Sequence, residues 1–145
     1  MPQESKLMRL VKQQLNVERE HVKRLTELRK KVSNAAGRLL LLEMRLDSEK
    51  HAAIMAEMLE ILKGVPPTTS LWDHDLEEYI DEAIVKKEFE EHVKKESDVL
   101  AHIEEELKHT KDEGLNLLLQ NISEDEKKHH RIIQTIIKNL YKLEQ

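Results

Sequence analysis

The chain contains no cysteine, which excludes disulfides, thiolate zinc sites, iron–sulfur clusters, thiol nucleophiles and a built-in thiolate-ligated electron donor. Glycine and proline number three each and aromatics make up 3%, so the residues that favour turns and strands are scarce. No stretch approaches the roughly 20 apolar residues of a membrane span, and Met1-Pro2-Gln3-Glu4-Ser5-Lys6 lacks the apolar run of a signal peptide. The expected setting is therefore cytosolic, with no membrane partner. A surplus of positive charge is also missing. Lys and Arg total 24 against 29 Asp and Glu, the signs are interspersed, and the net charge of −5 offers no basic patch for nucleic acid. What remains is a chain dominated by Leu, Glu, Lys and Ile, of 145 residues, a length that suits one all-helical domain.

Apolar residues at helical spacing mark four segments. The first runs from about Glu4 to Val32 through Leu7, Leu10/Val11, Leu15, Val22, Leu25 and Leu28, and Gln14, Glu18 and His21 interrupt its inner stripe. Ser33-Asn34 supplies an N-cap for a second segment that closes at Lys63-Gly64, with Pro66 and Pro67 beyond. Its inner stripe is expected at Leu40, Met44, Asp47, His51, Ile54/Met55, Met58 and Ile61/Leu62. A crossover over about 64–84 follows, with Ser70 and Asp73 as a helix start and an amphipathic run through Leu71, Trp72, Leu76, Tyr79/Ile80 and Ala83/Ile84. The third helix is expected from near Val85, with His92 and Glu96 on its inner stripe. Asp112 caps the fourth, whose stripe reads Leu115, Leu118, Ile122, Asp125/Glu126, His129, Ile132/Ile133, Ile136 and Leu140. Ser123 followed by Glu126 spells a capping box that would split this helix, but the matching position in the first half is Arg45 within an uninterrupted helix, so no break is expected. The layout is one domain over 1–145: hairpin 1 at about 4–63, the crossover, and hairpin 2 at about 85–143.

The two hairpins are related by an offset of 78 residues. Aligning Leu15 to Lys63 with Val93 to Tyr141 gives 11 identities in 49 positions without a gap. These include Glu18/Glu96, Asp47/Asp125, Lys50/Lys128 and His51/His129. An apolar stripe recurs in any helical bundle, whereas a carboxylate and an imidazole recurring at the same depth do not follow from packing. Turn arithmetic places Glu18 level with residue 49, among Asp47, Ser48 and His51, and Glu96 level with residue 127, between Glu126 and His129. Several inward carboxylates would each lose hydration and repel one another, and a divalent cation would cancel that cost. Imidazole with carboxylate suits iron, manganese or zinc.

Glu18, a helix carrying His51, then Glu96 and Glu126-Lys127-Lys128-His129 together resemble the ferritin-like superfamily, with the nearest motif match to rubrerythrin-type di-iron proteins. The resemblance covers nearly the whole chain. It implies an antiparallel four-helix bundle built from two repeated hairpins joined by a long crossover. In that family a glutamate on one helix and Glu-x-x-His on the next are used twice. By this match Glu18, His51, Glu96, Glu126 and His129 are the expected metal ligands, with Glu126 bridging two irons. Asp47, Asp125, His21 and His92 are further candidates, although a lone inward His is more often a satisfied core residue. Iron is the implied cofactor, with manganese or zinc as alternatives and neither haem nor nucleotide. The implied chemistry is iron oxidation or reduction of oxygen or peroxide, with an external electron donor. The departure is at Ser48, which stands where the family has its first bridging glutamate. It leaves open an asymmetric or mononuclear centre, or a structural bundle whose site is lost.

His102 and His130 are expected at the surface, the second next to the inward position and opposite Ala52 of the first copy. Leu42, Leu46 and Ala53 correspond to Gln120, Glu124 and Arg131, which gives the second helix an extra apolar face and predicts a homodimer through it.

Overall fold

The computed structural model describes residues 5–66, 69–76 and 82–140. Four α-helices form: α1 Lys6–Lys31, α2 Ala35–Lys63, α3 Glu82–Lys108 and α4 Glu113–Leu140. No strand occurs among the described residues, and no helix is long and apolar enough to cross a membrane. The chain divides into two compact units, Met1–Thr69 and Ser70–Gln145. The division falls in the Pro-containing break that the sequence marks. α1 packs on α2 in the first unit, and α3 packs on α4 in the second.

The helix ends follow local chemistry. Ser5 Oγ accepts from the Met8 N–H at 3.1 Å and starts α1. Arg29, Lys30 and Lys31 fill the last turn of that helix, where its exposed carbonyls favour positive charge. Of the Ser33-Asn34 pair, Asn34 is the cap: its Oδ1 accepts from the Gly37 N–H at 2.7 Å. A Cβ at Gly37 would stand 2.8 Å from Val32 Cγ1, so the turn closes against a residue that has none. α2 stops at Gly64, whose N–H donates to the Ile61 carbonyl at 3.0 Å with φ at −104°. This glycine ends the helix without the left-handed backbone that usually explains one there. Asp112 Oδ1 accepts from the Leu115 N–H at 2.9 Å, as the sequence suggests for the start of α4. α4 then runs unbroken past Ser123.

Two expectations shift. α3 is helical from Glu82, ahead of the start expected near Val85. Ser70 Oγ does accept from the Trp72 N–H, at 3.3 Å, but it starts only a single 3₁₀ turn, Leu71–Asp73. Pro67, Tyr79 and Ile80 of the expected crossover, and the end of hairpin 2 beyond residue 140, lie outside the described residues.

In the first hairpin Val11 and Leu15 of α1 are buried with Leu59 of α2, and Met8, Ala52, Met55, Ala56 and Met58 pack around them. The inward edge of α2 therefore takes in Ser48, Ala52, Met55, Ala56, Met58 and Leu59: Met55 and Met58 belong to the expected stripe, whereas at Asp47 and His51 the edge is turned by about one residue, to Ser48 and Ala52. Met44 and Ile54, expected inside, are each 53% exposed. The apolar arc on α2 is wide, and its edge with small side chains is the one that lets α1 approach. Among the described residues of the second hairpin the buried positions are Glu96, Ile103 and Ser123. Replacing Leu59 with Ala should lower unfolding free energy by about 2–3 kcal/mol, and Asn34→Ala by about 1 kcal/mol, both measured by urea denaturation.

Candidate metal centre

Every helix here has an inward position filled by a residue that packing alone would not select. On α3 it is Glu96, only 4% exposed. Its Oε1 lies 3.1 Å from His92 Nε2, one turn earlier on the same helix. Its Oε2 is buried without a hydrogen-bond partner, and so is Nδ1 of His130 on α4, which faces it at 3.9 Å. That separation is too long for a hydrogen bond and leaves both atoms desolvated and unpaired.

On α4, Glu126 and His129 stand one turn apart, with Glu126 Oε1 3.8 Å from His129 Nδ1. Glu96, Glu126 and His129 each offer one ligand atom, and these atoms lie within 4.8 Å of one another. Around a cation bound at about 2.0–2.2 Å, ligand atoms stand about 3–4 Å apart, so small side-chain rotations would draw the three donors onto one ion. Oxygen and imidazole donors, a buried carboxylate and an unpaired oxygen beside them fit a divalent transition metal. Among the described residues this is the one such group of three.

The first hairpin repeats only part of the pattern. Glu18 on α1 is buried, its Oε1 lies 3.6 Å from His51 Nδ1 on α2, and its Oε2 has no partner. The turn arithmetic that paired Glu18 with the level of His51 thus matches the contact. Asp47 does not join them. It turns to Lys50 at 3.4 Å, and Ser48 takes the buried position one turn before His51. This follows from the rotated edge of α2: with a hydroxyl inward and the aspartate beside it at the rim, the first hairpin gathers one carboxylate and one imidazole.

The remaining candidates sort by position. His21 is exposed, Asp125 is half-buried and outside the group, and His92 is half exposed with its ring on Glu96. His102 is exposed, as expected. His130 corrects the sequence reading: its side chain is 29% exposed, less than the 47% of His129, and it faces Glu96. The inward line of α4 passes through Ser123, Glu126, His130, Ile133 and Ile137, at three- and four-residue steps. A count from the buried Ser123 rather than from the isoleucines would have found it.

A buried carboxylate with one unpaired oxygen is costly in the metal-free protein. Glu96→Leu should therefore raise metal-free stability, by about 1–2 kcal/mol, whereas Glu96→Ala, which leaves a void, should not; chemical denaturation after chelation measures both.

Comparison with known proteins gives no match: no family model, no curated protein and no solved structure is similar to this chain.

Proposed function

We propose that the chain is a ferritin-like metal-binding protein whose better-preserved site lies in the second hairpin, with Glu96, Glu126 and His129 as ligands. The observation that carries this reading is the convergence of those three donors beside the buried, unpartnered Glu96 oxygen. The 78-residue repeat supports the wider reading, an antiparallel four-helix bundle in which each hairpin brings a glutamate and a histidine. Iron or manganese, and less simply zinc, suits the donor set. Bound there, iron or manganese would supply one-electron exchange with oxygen or peroxide, and ferrous iron would itself be a substrate in the iron-oxidising form of the reading.

The chain's own residues have definable parts in this. Glu96 supplies charge at the deepest point, and His92 steadies it through Oε1. Glu126 and His129 approach from α4, the more exposed His129 at the outer side. A second reading, a structural bundle with a degenerate site, has one observation in its favour: Ser48 leaves the first hairpin with a single carboxylate–imidazole pair.

Metal analysis and calorimetric titration with ferrous iron, manganese and zinc separate the two. The wild type should bind metal stoichiometrically and melt at a higher temperature with it. Glu126→Ala and His129→Ala should each weaken binding by more than the roughly 10–100-fold typical of outer residues, with His51→Ala costing less. Binding should weaken as pH falls, because protons compete for the same donors. No stoichiometric metal and an unchanged melting temperature would leave the structural reading.

The homodimer is likewise proposed, through Leu42, Leu46 and Ala53 of α2; Leu46 is 49% exposed and Ala53 exposed. Light scattering should give twice the chain mass, and the double variant Leu42→Glu/Leu46→Glu should give a monomer.

A further inference from the structure

We propose that the first hairpin carries an anion site, distinct from the metal centre, that takes a phosphate monoester through Arg29 and Arg45. A cleft of about 530 Å³ opens near the α1–α2 turn, lined by Thr26, Arg29, Lys30, Arg38 and Arg45. Four of these five are cations, and no carboxylate is among them. Arg29 and Arg45 are half-buried on facing helices, and Arg29 Nε lies beneath the surface with no hydrogen-bond partner. A buried guanidinium N–H left unpaired is costly, and an oxyanion is the group that would satisfy it.

The existing partners leave donors for a ligand. Arg45 Nη1 pairs with Glu49 at 2.9 Å and Lys30 with Glu27 at 3.3 Å. Arg38 Nε donates to the Val32 carbonyl at 2.6 Å, which fixes this side chain across the turn and occupies one of its five N–H groups. Thr26 gives its proton to the Val22 carbonyl at 2.7 Å, so the anion contacts fall to the arginines. Guanidinium groups present paired donors that match phosphate oxygens two at a time.

Helix-end electrostatics account for Arg29 and Lys30, which sit in the last turn of α1. They do not account for Arg45, in the middle of α2. The repeat supplies the control. Arg29, Arg38 and Arg45 correspond to Leu107, Asn116 and Ser123, and Ser123 is buried. The same helix interface therefore packs in the second hairpin without any of the three arginines.

The test uses the full chain at constant ionic strength, titrated calorimetrically with phenyl phosphate and inorganic phosphate against a chloride control. Saturable binding of about one phenyl phosphate per chain is expected. Arg29→Leu and Arg45→Ser, which copy the second hairpin, should each weaken it about tenfold or more while metal uptake stays unchanged. Arg29→Lys keeps the charge and removes the fork, so it should also lose binding with its helical circular dichroism intact. Vesicles containing phosphatidic acid separate two sources of the same chemistry: co-sedimentation abolished by both variants assigns a lipid headgroup, and phenyl phosphate binding without co-sedimentation assigns a soluble phosphomonoester. Absence of saturable phosphate binding to the wild type, or equal binding by the wild type and the variants, would overturn the site.

Discussion

Two buried glutamates set the terms for this chain. Glu18 and Glu96 occupy equivalent depths in two hairpins, where helix periodicity asks for leucine, and each keeps one carboxylate oxygen out of water and without a partner. Desolvating an ionised group costs far more than the small surplus that keeps a domain folded can easily absorb, unless something opposite answers it. The neighbours read as that answer. His51 stands across from Glu18, His92 and His130 flank Glu96, and a small polar side chain, Ser48 or Ser123, is buried on each partner helix. The apolar groups that hold the first hairpin closed, Val11, Leu15 and Leu59, lie farther from the turn, so packing and polar chemistry occupy separate levels of the same interface.

The two hairpins differ along that interface. In the second hairpin the buried glutamate meets Glu126, His129 and His130. At the corresponding places the first has Ser48, His51 and Ala52, and it therefore gathers a single carboxylate–imidazole pair. Nearer the turn the contrast reverses: the first hairpin has Arg29 and Arg45 where the second has Leu107 and Ser123. Negative and imidazole donors have concentrated in one copy and guanidinium groups in the other. A simple packing repeat has no reason to separate charge in this way, because either set of side chains closes the same pair of helices.

Much of the fold was legible in the sequence. Four helices follow from the spacing of Leu, Ile and Val, the breaks follow from Asn34, Gly64 and Asp112, and the unbroken α4 follows from comparing Ser123 with Arg45 of the first copy. The pairing of Glu18 with His51 follows from turn arithmetic, since a short turn sends α2 back along α1 at a fixed rise per residue. The rotation of α2 was not legible. Its apolar arc is broad enough to offer several edges to α1, and hydrophobicity does not rank them, so the expected stripe met the observed edge at Met55 and Met58 and missed it by one residue at Asp47 and His51. The same ambiguity on α4 hid His130, which sits beside a residue with an equally good claim to face inward.

Composition and periodicity by themselves determined the helical class, the absence of thiol chemistry and the set of chemically unusual residues at repeated depths. Those properties reside in residue type and in distance along a regular helix, which the chain carries with it before it folds. Tertiary structure decided which of those residues meet. It brought Glu96, Glu126 and His129 within reach of one another, turned His130 toward Glu96, sent Asp47 out to Lys50 and put Ser48 in its place. Adjacent helical residues point about 100° apart, so a shift of one residue in the edge that packs exchanges a buried carboxylate for an exposed ion pair. Only the close approach of small side chains across the helix interface fixes that edge.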